Sequence, residues 1–191
     1  MILSDSEIRK RLDSWEIEMT TFWDFDIYDQ IGPASLDFRL WNTFKIYRKS
    51  RQTVIDSKTW VQPDHVEVLT IENGEQFVLH PGDFVLGVTL EKIKVPYDLV
   101  ARCEWRSSIW RLGIIIHSTA GFVDPWFEWT ITLEMTNINE VPVALYAGMR
   151  IGQYAFQQVV WEVETTYDRR VWSKYMHQVV PEESRIENDL H

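Results

Sequence analysis

Short runs of alternating apolar and polar residues, separated by turn sequences, dominate the chain after its first dozen residues. Successive side chains of a β-strand point to opposite faces, so this alternation predicts half-buried strands. The predicted strands lie at 38–47, 66–71, 77–79, 84–95, 99–104, 113–116, 130–136, 141–145 and 151–156. Many short strands with frequent turns predict a mainly β fold of the sandwich or barrel type.

The first residues follow a helical pattern instead. Ser4 is followed three residues later by Glu7, which is the spacing of a capping box at the start of a helix. Ile8 and Leu12 then have the spacing of one helix face. The sequence therefore predicts a short N-terminal helix before the strands begin.

Composition limits the class of protein. A chain of 191 residues with 45% hydrophobic and 25% charged residues is typical of one soluble globular domain, residues 1–191. A net charge of −10 argues against a general nucleic-acid or anionic-membrane binder, because both need a broad basic surface. Cys103 is the only cysteine, which excludes an internal disulfide and favours a reducing compartment. With no signal peptide and no apolar run near about 20 residues, the expectation is a cytoplasmic protein.

Candidate binding chemistry is concentrated in one part of the chain. Residues 106–113 are Arg-Ser-Ser-Ile-Trp-Arg-Leu-Gly, residues 117–125 are His-Ser-Thr-Ala-Gly-Phe-Val-Asp-Pro, and Leu133 and Glu134 follow. Arginines and hydroxyl groups are suited to phosphate oxygens. Such a set can hold a nucleoside triphosphate and still leave one carboxylate for proton transfer.

These motifs resemble the dCTP deaminase family, which is related to the trimeric dUTPases. The resemblance runs from Leu3 to Arg185. It implies a distorted jelly-roll or β-barrel of the dUTPase-like type, a homotrimer with sites between subunits, and a C-terminal arm, residues 167–191, that closes over the nucleotide. The implied substrate is dCTP, and residues 119–125 look more like the branch that continues from dUTP to dUMP. dUTP, and dTTP as an inhibitor, are further candidate ligands.

Deamination requires a group that takes a proton from water and gives one to the leaving amine. Most nucleobase deaminases use zinc held by His and Cys. This sequence has one cysteine and no Pro-Cys-x-x-Cys signature, so it predicts a site without zinc in which one carboxylate moves the protons. The resemblance gives this role to Glu134. Strand alternation alone leaves a second interpretation open, a solvated strand glutamate on the face of Thr132 and Thr136.

The resemblance also implies roles for the other site residues. Arg111 would orient Glu134 and stabilise developing charge, and Asp124 would accept from the deoxyribose 3′-hydroxyl. Magnesium would enter with the triphosphate rather than through a dedicated protein cage. His117 is expected to be a packed or surface histidine. The implied substrate ligands are Arg106, Ser107, Ser108, Arg111, Asp124, Thr132, Leu133, Gln153, Tyr167, Lys174 and Gln178.

Seven tryptophans stand where this family commonly has glycine: Trp15, Trp41, Trp105, Trp110, Trp126, Trp129 and Trp172. Glycine permits positive φ and close backbone approach, whereas a tryptophan ring normally buries about 150–250 Å². Either the tryptophans are real and the site has been rebuilt or lost, or the gene uses UGA for glycine and was translated with UGA as tryptophan. Composition favours recoding, because exchanging the seven turns 8 Gly and 10 Trp into 15 Gly and 3 Trp, close to the average glycine share of about 7%.

Two other functions remain open. A plain dUTPase is one, although dUTPases usually have a tyrosine three residues after the motif aspartate, where this chain has Phe127, and they lack a counterpart of Glu134. An inactive nucleotide-binding homologue is the other, and it becomes a serious alternative only if the tryptophans are real.

Overall fold

Most of the described chain forms short β-strands. The computed structural model describes residues 1–47, 66–116, 121–161, 163–171 and 173–186. Its helices are α1 (Asp5–Asp13), α2 (Ser107–Trp110) and two 3₁₀ helices, Ile27–Gln30 and Tyr167–Arg169. Its strands are β1 (Glu18–Thr21), β2 (Ile31–Gly32), β3 (Ser35–Arg39), β4 (Thr43–Tyr47), β5 (Val66–Thr70), β6 (Gln76–Leu79), β7 (Phe84–Val88), β8 (Glu91–Lys94), β9 (Leu99–Trp105), β10 (Ile114–Ile116), β11 (Phe122–Val123), β12 (Glu128–Trp129), β13 (Thr132–Asn137), β14 (Val143–Tyr146) and β15 (Arg150–Gln158).

Two five-stranded antiparallel sheets contain most of these strands. The first sheet has the order β10-β13-β7-β4-β5 and the second has the order β11-β9-β15-β3-β2. A three-stranded sheet, β1-β8-β12, and a two-stranded sheet, β14-β6, hold the remainder. The predicted mainly β fold with a short N-terminal helix is confirmed. Within the described residues, the strand pairings form open sheets rather than one closed barrel.

The chain changes sheets inside two of the predicted strands. The run 84–95 is two strands, β7 in the first sheet and β8 in the three-stranded sheet. At the break, the Thr89 hydroxyl donates to the Glu91 carbonyl at 2.8 Å and accepts from the Ile131 amide at 3.0 Å. The run 38–47 is likewise divided between β3 and β4. Alternation predicts which residues are buried, but it does not reveal the partner strand, so both breaks were missed.

Helix α1 packs its apolar stripe against the sheets. The Ser4 side chain accepts from the Glu7 amide at the helix start, as the capping pattern predicts. Ile8 and Leu12 are buried. In the part of the chain that the structure describes, no helix is long and apolar enough to cross a bilayer.

Candidate functional site

A cavity of about 450 Å³ lies between the first sheet and the C-terminal arm. This volume is in the usual range of small-molecule pockets, about 300–1,000 Å³. Residues from β13, from the turn after β11 and from the arm meet at its wall. Five of the predicted site residues line it: Asp124, Thr132, Glu134, Tyr167 and Gln178.

Strand β13 positions Glu134 at this cavity. The strand lies between β10 and β7, and Glu134 pairs with Leu86 of β7. Leu133 and Met135 are fully buried in the core, whereas Thr132 and Glu134 are half-buried on the other face. Glu134 is therefore at a cavity wall rather than on an open solvated face. Because the Leu133 side chain is in the core, Leu133 can offer a ligand only its backbone atoms.

A tight turn holds Asp124 at the cavity edge. The carbonyl of Asp124 accepts from the Phe127 amide at 3.2 Å, directly after the short strand β11. Phe127 packs its ring edge against Tyr167 of the arm, with ring centroids 5.5 Å apart. The turn and the beginning of the arm are therefore joined by an aromatic contact.

Two other cavity residues have perturbed acidities. Burial raises the pKa of the Cys103 thiol well above its usual range, so this thiol stays protonated at neutral pH. Burial, followed by the nearby Glu183 carboxylate and Tyr175, raises the pKa of Tyr47 to about 12. Neither group is ionised at neutral pH, so neither is available there as a base.

The arm is docked onto the first sheet through Gln178, which is almost fully buried. Its side-chain amide donates to the Thr130 carbonyl at 2.7 Å, and its side-chain oxygen accepts from the Thr132 hydroxyl at 3.0 Å. Its own carbonyl accepts from the Thr130 hydroxyl at 2.6 Å. Further along the arm, the Glu182 amide donates to the Thr132 hydroxyl at 3.2 Å. In this structure Gln178 thus fastens the arm beside Glu134.

A second pocket, of about 470 Å³, collects the predicted phosphate ligands. Arg106, Ser107, Ser108 and Gln153 line it together with Asp37 and Arg150. The elements that bring them together are β3, β15 and the segment entering α2.

Asp37 is held between two arginines in the second pocket. Arg106 forms an ion pair with its carboxylate, and the Arg150 guanidinium lies 3.6 Å from the same oxygen. A phosphate group offers arginine similar acceptor oxygens. Asp37 and Arg150 were not singled out from the sequence. The only signal for Arg150 was its place three residues before Gln153 in the sequence.

Two further predicted ligands line neither pocket, and two other residues singled out from the sequence lie outside the described ranges. Arg111 is exposed at the end of α2, and Lys174 is half-buried in the arm; neither lines the two pockets. His117 and the segment to 120 lie outside the described residues, as does Trp172. Within one chain, the predicted ligands therefore fall into two separate groups and do not form a single site.

No group of three or more His, Cys, Asp or Glu side chains in the described ranges is arranged to hold a metal ion. In the second pocket, the carboxylate of Asp37 is already opposed by two guanidinium groups. This set of side chains suits phosphate oxygens better than a bare divalent cation, which prefers several oxygen ligands.

Comparisons of the sequence with known proteins agree on one family. The model of the dCTP deaminase-like family matches residues 2–159. A dUMP-forming dCTP deaminase of Dictyoglomus turgidum is 46% identical over 190 residues, which covers 100% of this chain and 97% of that relative. A dCTP deaminase of Natronomonas pharaonis is 43% identical over 190 residues, with 99% and 96% covered.

A solved structure shares the fold. The 2′-deoxycytidine 5′-triphosphate deaminase from Agrobacterium tumefaciens superimposes with a TM-score of 0.64 at 22% identity. The match covers 83% of this chain and 48% of that one, so this chain spans about half the length of the solved protein. At this identity the likeness concerns the fold alone.

Proposed function

The chain belongs to the dCTP deaminase-like family, and on that premise we propose that it hydrolyses dCTP to dUTP and ammonia and then dUTP to dUMP and diphosphate. The observation that carries the proposal is the position of Glu134 on the wall of a nucleoside-sized cavity beside Thr132 and Asp124. Several full-length relatives with the dUMP-forming name support the second step.

Glu134 is the proton carrier in the proposed deamination. Water adds to C4 of the cytosine, and one of its protons ends on N3 and the other on the departing ammonia. A single carboxylate can carry both, taking each proton from the water oxygen and delivering it to nitrogen. Asp124 accepts from the sugar hydroxyl and Thr132 lies next to the base. Arg111 lines neither pocket of its own chain, so in this proposal it reaches the carboxylate from the neighbouring subunit and orients it by its positive charge.

The second pocket binds the triphosphate in this proposal. Arg106, Ser107, Ser108 and Gln153 provide cationic and neutral donors, and Arg150 adds a further cation. Magnesium, bound by the phosphates themselves, would neutralise part of their charge. dTTP shares the sugar and triphosphate and would compete for the same groups as an inhibitor.

The complete site is built between neighbouring subunits of a homotrimer. The separation of the predicted ligands into two pockets of one chain supports this arrangement. One subunit would contribute the cavity with Glu134, and its neighbour would contribute the pocket with Arg106. A plain dUTPase is less well supported, because such an enzyme has no use for a carboxylate at the position of Glu134.

Product analysis with the purified protein tests the function. Incubation with dCTP and magnesium should release ammonia and dUMP. Glu134→Gln, which keeps the shape and removes the base, should lower the deamination rate at least about 10²-fold, whereas Glu140→Gln, an exposed glutamate just after β13, should not. Hydrolysis of dUTP without any deamination of dCTP would establish a dUTPase instead, and binding without turnover would establish an inactive homologue.

A further inference from the structure

A shielded ion pair joins the C-terminal arm to the first sheet. Lys45 lies on β4 and Glu183 on the arm, and Nζ is 2.7 Å from Oε2. The two side chains are only 11% and 10% exposed. Removing one partner of such a pair is strongly unfavourable, because the other charge is left in a setting that solvates it poorly.

The charges around the cavity increase the importance of this pair. Four carboxylates line the cavity, those of Asp124, Glu134, Glu182 and Glu183. Lys45 is the cation opposite Glu183. The other arm ion pair near it, between Arg185 and Glu182 at 2.6 Å, joins two arm residues and does not reach the sheet.

We propose that Lys45 and Glu183 form a latch that holds the arm across the Glu134 cavity and so positions the arm for substrate binding. Neither residue contacts the reacting atoms. Their action is through Gln178 and Glu182, whose hydrogen bonds to Thr130 and Thr132 depend on the same arm placement. The expected effect of the latch on dCTP binding rests on the function proposed above, whereas its expected effect on arm closure does not.

Limited proteolysis and steady-state kinetics test the latch. Lys45→Met and Glu183→Gln should each speed tryptic cleavage after Lys174, which is half-buried in the docked arm, about tenfold, because cleavage follows the population of the open arm. Each should also raise the KM for dCTP by about tenfold with a smaller change in kcat. The exchanged pair Lys45→Glu with Glu183→Lys should restore both values. Lys10→Met breaks the exposed α1 pair with Glu7 (3.5 Å) and should change neither.

The exchanged pair also decides the case if a single variant does not fold. An exchanged variant that folds and protects the arm supports the latch. An exchanged variant that folds but leaves the arm as accessible as in the single variants overturns the latch. Single variants that are cleaved at the wild-type rate also overturn it. Cleavage requires no substrate, so the latch is tested even if the protein does not deaminate dCTP.

An independent observation concerns the backbone at three tryptophans. The φ angle is +59° at Trp15, +67° at Trp126 and +135° at Trp129. The one other non-glycine residue at positive φ in the described ranges is His177. Side chains with a Cβ rarely adopt this region, whereas glycine does so readily.

Trp15 occupies a helix-terminating position that usually holds glycine. Helix α1 ends with Ser14 as its C-cap. The Trp15 amide then donates to Leu12 at 3.1 Å and the Glu16 amide donates to Arg11 at 2.9 Å. These two bonds define a Schellman motif with Trp15 in the left-handed position. Trp15 is 72% exposed, so no burial of the side chain explains its presence.

Trp126 and Trp129 occupy two further positions of this kind. Trp126 is the third residue of the Asp124–Phe127 turn and follows Pro125. A turn with proline as its second residue and a positive φ at its third residue is a type II turn. Glycine is the usual third residue of such a turn. Trp129 has a φ beyond the left-handed helical region, and its buried indole N–H has no hydrogen-bond acceptor among the described residues. A buried donor left in this way is destabilising.

We infer that the natural residue at positions 15, 126 and 129 is glycine, which is the outcome expected if the gene uses UGA for glycine. The backbone argument stands without the family comparison, because it uses only φ angles and hydrogen bonds. Trp41, Trp105 and Trp110 do not have positive φ, so for these three the structure adds no separate argument.

The triple variant Trp15→Gly, Trp126→Gly, Trp129→Gly tests this inference. Relief of strain at three positions of positive φ should raise the melting temperature by at least about 5 °C. Trp161→Gly is the control, because Trp161 is exposed at 83%, as Trp15 is at 72%, and has no positive φ; it should bring no gain. A triple variant that melts below the parent overturns the inference, as do UGG codons or tryptophan-containing peptides in mass spectra of the protein from its source.

Discussion

At the scale of single residues, Glu91 shows how burial changes an ordinary carboxylate. It lies at the start of β8 with none of its surface exposed. Burial raises its pKa to about 7. The Arg39 amide donates a hydrogen bond of 2.8 Å to the carboxylate, and this bond and the Arg39 charge offset only part of the increase in pKa. The folded protein therefore binds a proton at Glu91 more tightly than the unfolded chain does.

This shift predicts a pH dependence of stability. Because the folded pKa of Glu91, about 7, exceeds its ordinary value of 4.5, its contribution favours folding fully below about pH 4.5 and is lost as the pH rises to 7. The loss is about 3 kcal/mol. Urea unfolding of the wild type and of Glu91→Gln between pH 5 and 8 measures it. The free energy of unfolding of the variant, relative to the wild type, should increase with pH and level off above pH 7. A difference that does not vary with pH would show that Glu91 does not titrate in this range.

At the scale of elements, periodicity predicted the strands better than their connections. The alternation in 130–136 correctly placed Leu133 in the core and Glu134 on the opposite face. The break between β7 and β8 was missed, because it depends on hydrogen bonds of Thr89 and not on apolar spacing. The Lys45–Glu183 pair was also missed, since no pattern in a single sequence links residues so distant along the chain.

The arm is the element whose removal should separate folding from binding. Deleting residues 172–191 removes Gln178 and Glu183 but no strand of the sheets. The shortened protein should keep its β circular dichroism. Its affinity for dCTP should fall at least about tenfold, because it lacks Lys174 and Gln178, two expected nucleotide ligands, and each hydrogen bond contributes on the order of 1 kcal/mol. Titration calorimetry measures the affinity. A shorter deletion, 187–191, lies beyond the arm contacts described above and serves as control. Unchanged affinity of the longer deletion would exclude the arm from the site.

At the scale of the whole molecule, the predicted site residues are divided between two pockets of one chain. Glu134 and Asp124 line the first, and Arg106, Ser107 and Gln153 line the second. The sequence motifs identified these residues but not their separation, because a motif records chain order and not distance. A symmetric assembly in which the first pocket of one subunit faces the second pocket of its neighbour would unite them.

Mixing two inactive variants tests this assembly. If each site takes Glu134 from one subunit and Arg106 from its neighbour, Glu134→Gln and Arg106→Gln subunits refolded together should form some intact sites. Random assembly of equal amounts leaves about a quarter of the sites with both native residues. Deamination of dCTP should therefore return to about that fraction of the wild-type rate, while each variant refolded alone stays inactive. Absence of any recovery in mixed trimers, verified by light scattering, would place both residues in one subunit.

The pairing of β15 with the first residues of the chain has a consequence for synthesis. Gln153 of β15 pairs with Asp37 of β3, and Phe156 and Gln158 bond with Leu3 and Met1. The second sheet therefore cannot close until almost the whole chain has left the ribosome, which takes roughly ten seconds or more at 5–20 residues per second. During that time β3 has an unpaired edge, which is a template for aggregation. Contacts this distant along the chain also slow folding itself, so expression at low temperature or with a chaperone should increase the soluble yield.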